Sequence, residues 1–176
     1  RFFGTTWTVE NCRYPVRKTQ ENRDDRTRPA NIIITCTDNT RSRLELWRFL
    51  KKYREASVNN ERAVYYWMDF GNAQTTGQVF IGTVRNKIRQ PASKEFMPVP
   101  GMNVITEEVN YSTIEEKDSG PSCSLAEALE RQDLYINSIL AQVGCDILWK
   151  MFKEGRTLYR GAYINLDTLR VNPIPV

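Results

Sequence analysis

Histidine is absent from this sequence of 176 residues. It is the commonest general base at neutral pH and the commonest metal ligand in proteins. Its absence excludes Ser-His-Asp and Cys-His catalysis within this chain. A metal site here must be built from oxygen ligands, and such ligands favour Mg²⁺.

Cysteine is scarce as well. The four cysteines are widely spaced and form no CxxC pair; they are Cys12, Cys36, Cys123 and Cys145. We therefore expect no zinc and no secreted disulfide scaffold. The sequence also shows no signal peptide and no apolar run of transmembrane length, which predicts a reducing, cytoplasmic setting and no membrane partner. All cysteines except Cys123 fall in predicted strands or a predicted helix, where we expect them to be core residues.

Glycine motifs that bind phosphates are missing too. The nine glycines are scattered, and neither a GxGxxG turn nor a Walker-type GK[ST] element occurs. The chain begins with Arg1-Phe2-Phe3-Gly4, without an initiator Met and without a leading segment before the first predicted strand. It reads as the middle of a protein, and we expect a fragment or a cleaved chain.

The charge of the chain is nearly balanced. A net charge of +4 comes from 25 basic and 21 acidic residues that are interspersed along the chain, a weak hint of acidic or phosphate-bearing partners. The aromatic residues do not interleave with a basic stripe, so we expect no nucleic-acid partner. With 40% hydrophobic residues, the chain has enough apolar side chains for one domain with a real core, spanning 1–176.

The hydrophobic patterns along the chain predict an α/β layout. The continuous apolar run at 31–36 is typical of a strand covered on both faces in a parallel sheet. The last two predicted strands read as an antiparallel pair that turns near Asp167. The predicted elements are strands at 5–14, 31–36, 63–70, 77–84, 157–165 and 169–171, helices at 39–56 and from Ser124 to Gly155, and an exposed helix or loop at 17–30.

Residues 86–122 differ in character from the rest of the chain. They hold four of the eight prolines and an acidic run, and a loop of this length is usually functional or disordered. We name this segment the crossover loop. Directly after it, Ser124 and Glu127 have the spacing of a capping box, which predicts the start of a long amphipathic helix that ends at Gly155.

Asp38 follows the predicted strand at 31–36. Ligands of open parallel sheets bind beyond the carboxyl ends of the strands, where a carboxylate can hold a Mg²⁺ that bridges nucleotide phosphates. The alternative is that Asp38 or Asn39 only caps the helix at 39–56. Arg41 and Arg43 lie in the first turn of that helix, an unfavourable place for cations, so either an anion compensates them or they are ordinary surface arginines.

A second candidate site, which we expect to bind substrate, lies at the next predicted strand end. Asp69 is followed by Gly71 and Asn72, and Gly71 indicates either a turn with positive φ or the close approach of a ligand. An ordinary turn between strands explains the same residues. Cys123 lies just ahead of a predicted helix N-terminus, where the dipole favours a thiolate nucleophile, although a cysteine without a histidine is usually inert.

An ordered set of motifs carries a family resemblance. Thr35-Cys36-Thr37-Asp38-Asn39 followed by Arg43 resembles the CTDNxxxR element of the ThiF/MoeB-type adenylyltransferases, in the ubiquitin-activating-enzyme superfamily. Three further stretches resemble the ThiF family of the bacterial PRTRC system: MDFGNAQTTGQVFIGTV, PSCSLAEALERQDLYINSILAQVGCDILWKMFKEG and TLYRGAYINLDTLRVNPIPV. The resemblance covers nearly the whole chain.

The resemblance implies a fold and an activity. The fold is the C-terminal part of a Rossmann-like ThiF-type fold, with a mixed sheet flanked by helices, a crossover loop and terminal antiparallel strands, but without the glycine-rich N-terminal nucleotide-binding half. The activity is ATP- and Mg²⁺-dependent adenylation of the C-terminal carboxylate of a ubiquitin-like or sulfur-carrier protein. Relatives are commonly homodimers, so the intact protein is expected to be one.

The resemblance also implies roles for individual residues. Asp38 matches the metal-coordinating carboxylate, and Arg43 matches the arginine five residues on, which is given a catalytic role. Asn39 and Arg41 lie in the same cofactor-binding stretch. Cys123 is the nearest counterpart of the catalytic cysteine that relatives often carry in the crossover loop.

Departures from the family leave two alternatives open. The glycine-rich ATP loop and the ribose-binding acidic residue are not in this sequence, so this chain alone should not bind ATP well. One alternative is a catalytically inactive ThiF-derived module that binds a protein partner through the crossover loop at 86–122. The other is a fragment of a dinucleotide-dependent oxidoreductase, because strands that end in Asp before a helix also occur in that class.

Overall fold

A computed structural model describes residues 30–37, 39–54, 63–86, 88–111 and 133–176. The strands are β1 Ile32–Cys36, β2 Tyr66–Asn72, β3 Thr76–Thr83, β4 Tyr159–Asn165 and β5 Arg170–Pro175. The helices are α1 Thr40–Leu50, which continues into a 3₁₀ turn at Lys51–Tyr53, then α2 Ile105–Glu108 and α3 Ile136–Glu154.

The five strands form one mixed sheet in the order β1-β2-β3-β4-β5. β1 runs parallel to β2, with Thr35 opposite Asp69, and the other three neighbours pair antiparallel. The predicted α/β class is confirmed. The antiparallel pair at the C-terminal end of the chain is also confirmed, since β4 and β5 are joined by a turn over 166–169.

Helices cover the two faces of the sheet. Side chains alternate along a strand, so Trp67 and Met68 point to opposite faces. Trp67 belongs to a core with α1, α2 and β3, whose buried members are Leu46, Trp47, Leu50, Val64, Trp67, Phe80, Val84, Val104, Ile105 and Tyr111. Met68 packs against α3 on the opposite face, in clusters that include Val79, Ile81, Ile136, Leu140, Ile147 and Ile164.

Part of the crossover loop packs against the rest of the domain, whereas most residues of 89–101 are exposed. Val104 and Ile105 are buried against α1, and backbone N–H of Thr83 donates to Met102 O at 2.9 Å. Two ion pairs hold the last two residues of α2, from Arg54 to Glu107 at 3.0 Å and from Arg160 to Glu108 at 2.7 Å. Residues 104–111 therefore form part of the core on the α1 face.

Several expectations about burial were wrong. Within the described residues β1 is an edge strand, and Ile34 is 52% exposed, so this strand is not covered on both faces. Cys36 and Cys145 are exposed and are not core residues. Cys36 lies on the exposed side of the edge strand β1, and Cys145 lies on the outer side of α3. An apolar residue type shows that burial is favourable, but it does not show which side of an element meets the core.

The element bounds also differ from the predictions. α1 ends at Leu50, short of the predicted end at residue 56, and β2 continues to Asn72. The predicted continuous helix from Ser124 to Gly155 is wrong, because residues 133–135 are not helical and α3 begins at Ile136. The predicted helix end at Gly155 is confirmed, with φ of 68° in the left-handed region that glycine adopts without strain. Expectations for 5–14, 17–30, Cys12, Asp38, Cys123 and the capping box at Ser124 lie outside the described residues.

No helix in the described ranges combines the length and the apolar character needed to cross a membrane.

Candidate site at the junction of β1 and α1

Asn39 starts α1 immediately after the end of β1. Its backbone is extended, with φ −136° and ψ 154°, and its side-chain Oδ1 accepts a hydrogen bond from Ser42 N at 2.8 Å. This contact satisfies one of the backbone N–H groups that the first turn of a helix leaves unpaired. The capping role that the sequence left open between Asp38 and Asn39 therefore belongs to Asn39.

Arg43 reaches from the first turn of α1 into the protein. Its Nε donates to Asp69 Oδ2 at 2.8 Å, and its Nη2 donates to the carbonyl of Phe70 at 2.9 Å. Only 7% of the Arg43 side chain and 1% of the Asp69 side chain are exposed. The two residues were predicted at separate strand ends, and the structure joins them in one buried ion pair.

The second oxygen of Asp69 belongs to a hydrogen-bond chain. The Thr35 hydroxyl on β1 donates to Asp69 Oδ1 at 2.6 Å, and the indole Nε1 of Trp67 donates to Thr35 Oγ1 at 2.8 Å. Both carboxylate oxygens are thus engaged by the protein. Asp69 ties α1, β1 and β2 together at the place where β1 passes into α1.

Opposing effects act on the proton affinity of Asp69. Burial raises its pKa above the ordinary value, while the Arg43 guanidinium and the Thr35 hydroxyl both pull it down. A carboxylate this buried is stable in the charged form only with such partners. The charged state of Asp69 therefore depends on the presence of Arg43.

Gly71 makes room for the arginine. It lies inside β2, opposite Gln78, and its φ is not positive, so the predicted turn is wrong. A Cβ at this position would lie 2.8 Å from Arg43 Nη2 and closer still to the Gln78 amide. The sequence analysis gave the close approach of a ligand as the alternative, and the groups that approach Gly71 in the structure are protein side chains.

The other predicted site residues lie on the surface. Arg41 is 79% exposed and its Nε donates to Glu45 one turn later, at 3.1 Å. Glu45 thus supplies the compensating negative charge for this first-turn cation. Asn72 is exposed at the end of β2, where its amide donates to Ala73 O at 3.2 Å.

Two buried hydroxyls near the junction lack a partner. Thr37 Oγ1 and the Tyr111 hydroxyl have no hydrogen-bond partner in the described part of the chain. Thr37 is the last described residue before Asp38. Tyr111 belongs to the crossover loop and is buried in the core on the α1 face, where its ring centroid is 6.0 Å from the Arg43 guanidinium carbon. An unpaired buried polar group costs free energy, so each one needs an explanation.

The described residues at the junction do not by themselves form a metal site. Among the described residues, no cluster of three or more His, Cys, Asp or Glu side chains can hold a metal. Nucleotide-bound Mg²⁺ needs only one or two protein carboxylates, with water and phosphate oxygens as the remaining ligands. Asp38, the carboxylate that the sequence predicts for this role, lies outside the described residues.

No protein-family model matches the chain, and a search of curated proteins finds no significant match. The arrangement of side chains at the junction is therefore the main indication of function.

Three residues of the site were missed by reasoning from sequence. Thr35 and Trp67 complete the hydrogen-bond chain to Asp69, and Tyr111 adds the unpaired hydroxyl. Thr35 belongs to the stretch that resembles CTDNxxxR, but the sequence predicts no role for its hydroxyl. A tryptophan in an apolar strand and a tyrosine in a long loop carry no local signal for such contacts.

Proposed function

We propose that this chain is the C-terminal part of a ThiF-type adenylyltransferase. In this proposal the protein uses ATP and Mg²⁺ to activate the C-terminal carboxylate of a small ubiquitin-like or sulfur-carrier protein. The observation that carries the proposal is the β1–α1 junction, where Asn39 caps the helix and Arg43 is locked to Asp69 on the neighbouring parallel strand.

This arrangement suits a phosphate-handling site. The carboxyl ends of adjacent parallel strands form the edge where α/β proteins bind ligands, and β1 and β2 supply such an edge here. The motif that resembles CTDNxxxR lies across this edge, with Asp38 between Thr37 and the cap. The buried ion pair fixes the two ends of the motif relative to one another, which is the rigidity that positioning catalysis needs.

The proposed reaction is a transfer of the adenylyl group. A carboxylate oxygen of the carrier attacks the α-phosphorus of ATP, a new O–P bond forms, and the bond to the bridging α–β oxygen breaks as pyrophosphate leaves. Bound Mg²⁺ neutralises the charge on the phosphates during such a displacement. Asp38 would hold that ion. Asn39 caps the start of α1, and Arg43 fixes the position of α1 relative to β2 through its ion pair with Asp69.

Other parts of the proposal follow from the resemblance. The glycine-rich phosphate loop would come from a segment outside this sequence, and the intact enzyme would be a cytoplasmic homodimer. Cys123 as a nucleophile stays a prediction outside the described residues. Trapping of a thiol-linked carrier that disappears in Cys123→Ser would support it, and full activity of that variant would contradict it.

ATP–pyrophosphate exchange by the full-length protein tests the proposal. Candidate small carrier proteins are added one at a time, and exchange is compared between wild type, Asp38→Ala and Asp146→Ala. Asp146 is a matched control, because it is an exposed carboxylate that pairs with Lys150 on the outer side of α3. We expect carrier-dependent exchange in wild type and in the control, and a loss of at least about a hundredfold in Asp38→Ala.

Two other results would point to the alternatives. Carrier binding without any exchange would favour the protein-binding module. Reduction of a nicotinamide cofactor coupled to a substrate would favour the oxidoreductase. Exchange that is unchanged in Asp38→Ala would refute the assignment of the metal ligand.

A further inference from the structure

The side of α3 that faces away from the sheet exposes two large aromatic side chains. Trp149 is 61% exposed and Phe152 is 72% exposed, whereas the opposite side of the helix is buried on the sheet. The two residues are three positions apart, so they are neighbours on the helix surface. Single exposed apolar residues are ordinary, but adjacent exposed aromatics mark a surface that binds another molecule.

The same side of the helix carries small residues nearer its N-terminus. Ser138 and Ala141 lie seven and four residues before Cys145, and the two aromatics lie four and seven residues after it. Spacings of three and four residues keep all of them on one side of a helix. We name this surface the Cys145 face; its five exposed residues are Ser138, Ala141, Cys145, Trp149 and Phe152.

The symmetric spacing makes the Cys145 face complementary to itself. When two copies of α3 pack antiparallel with a twofold axis at Cys145, each residue meets the position equally far beyond the axis in the other copy. Trp149 then faces Ala141 of the second copy, and Phe152 faces Ser138. A large side chain thus meets a small one at both levels, which lets the two helices pack closely. A parallel pair would instead oppose large to large and small to small.

The charges on α3 favour the same antiparallel orientation. The Cys145 face has no charged member, and Asp146 beside it is paired with Lys150 at 2.7 Å. Lys153 lies at the C-terminal end of the helix, 5.7 Å from the Trp149 ring centroid, and Asp133 precedes the N-terminal end. An antiparallel pair brings Lys153 within about one helical turn of the level of Asp133 in the other copy. A parallel pair would place lysine beside lysine.

The exposed aromatic area is large enough for a weak dimer. A large aromatic side chain buries about 150–250 Å², so covering the exposed parts of Trp149 and Phe152 removes roughly 250–300 Å² per copy from water. The surface that covers them loses a similar area, which gives roughly 1,000–1,200 Å² for two copies. This is the lower limit of specific interfaces, and it predicts a dissociation constant in the micromolar range.

We propose that the Cys145 face is a self-association surface through which two copies of this chain form an antiparallel helix pair. The twofold axis passes beside Cys145. The inference rests on the described side chains of α3, and it depends neither on the proposed function nor on the resemblance. None of the residues at the β1–α1 junction takes part in it.

Sedimentation equilibrium of the 176-residue chain over a concentration series measures the association. Trp149→Ala should raise the dissociation constant at least about thirtyfold, because both copies lose an aromatic anchor. Leu169→Ala is the control and should leave the dissociation constant unchanged, because Leu169 is an exposed apolar residue in the turn between β4 and β5. All of these side chains are exposed in the single chain, so each variant should fold, which circular dichroism checks.

Exchanging the large and small residues tests the pairing itself. Ala141→Trp should weaken the dimer, because it places one tryptophan against another. The double variant Ala141→Trp with Trp149→Ala again opposes a large residue to a small one. It should bind more tightly than either single variant, to within about tenfold of wild type.

Oxidative cross-linking tests the position of the axis. Cys145 is kept as the single cysteine, the other three are replaced by serine, and diamide is the oxidant. Two thiols that meet at the axis form one disulfide, and diamide takes up the hydrogen atoms that they lose. We expect a covalent dimer with Cys145 and none in a matched variant that carries Cys145→Ser and Lys150→Cys, because Lys150 lies beside the Cys145 face.

Each measurement has a result that would overturn the proposal. A chain that stays monomeric up to about 1 mM would refute self-association and leave the Cys145 face to a different partner. A dimer that forms equally well in Trp149→Ala would place the interface elsewhere. A double variant no tighter than the single variants, or equal cross-linking from positions 145 and 150, would refute the antiparallel pair about Cys145.

Discussion

Removing the Asp69 carboxylate should destabilise the protein strongly. In Asp69→Ala the Arg43 guanidinium, of which only 7% of the side chain is exposed, loses its counterion and the Thr35 hydroxyl loses its acceptor. Breaking one partner of a buried ion pair typically costs about 3–5 kcal/mol. A domain of this kind has a free energy of unfolding of roughly 5–15 kcal/mol, so the variant should be close to the limit of folding.

Comparison with the exposed Arg41 shows whether burial makes the Arg43–Asp69 pair important for stability. Arg41 lies two residues earlier on the same helix turn, but 79% of its side chain is exposed where it pairs with Glu45. Arg41→Met should therefore change the free energy of unfolding by about 0.5 kcal/mol or less, whereas Arg43→Met should cost several times more.

Denaturant unfolding measures both effects. The fluorescence of Trp47 and Trp67 reports on this core, because the two rings stack at 6.1 Å. The double variant Arg43→Met with Asp69→Ala should cost less than the sum of the single changes, by at least about 2 kcal/mol. A cost for Asp69→Ala below about 1 kcal/mol, or additive single costs, would refute a buried pair that depends on both partners.

Three further changes test other parts of the structure. Asn39→Ala should lower the free energy of unfolding by about 1 kcal/mol in the same assay, because it removes the cap of α1, and no loss would contradict that role. Gly71→Ala should lower the free energy of unfolding by about 1–3 kcal/mol, because a Cβ there would lie 2.8 Å from Arg43 Nη2. Gly101→Ala is the control and should lower it less, because its Cβ would meet no atom nearer than 3.2 Å. Equal losses in the two variants would contradict the steric reason. Burial raises the pKa of Tyr111 to about 12, so the folded protein keeps a proton that the unfolded chain releases above pH 10. The stability of wild type relative to Tyr111→Phe should therefore fall by roughly 1.4 kcal/mol per pH unit between these values, and a parallel pH dependence in the two proteins would contradict this.

The fold class could be predicted from sequence because the periodicities are local. Strands alternate or run apolar over a few residues, and the left-handed Gly155 marks the end of α3 on its own. Burial of Cys36 and Cys145 was predicted wrongly, because exposure depends on which neighbour an element has in space. The five-strand order leaves β1 at the edge of the described sheet, and nothing in the strand itself encodes that.

The candidate site was predictable residue by residue but not as a unit. Arg43 and Asp69 were both singled out, yet they are 26 residues apart and each was expected to face a ligand. Their pairing depends on the parallel register that puts Thr35 opposite Asp69. At Gly71 the sequence predicted a positive-φ turn or a ligand, and only the fold shows that the side chains of Gln78 and Arg43 approach it.

The most direct measurement is mass spectrometry of the carrier after incubation with ATP, Mg²⁺ and the full-length protein. If the carboxylate attacks the α-phosphorus, the carrier gains one AMP at its C-terminal residue, and the gain is lost in Asp38→Ala but kept in Asp146→Ala. A carrier that stays unmodified, or that gains a phosphate instead of AMP, would contradict adenylation.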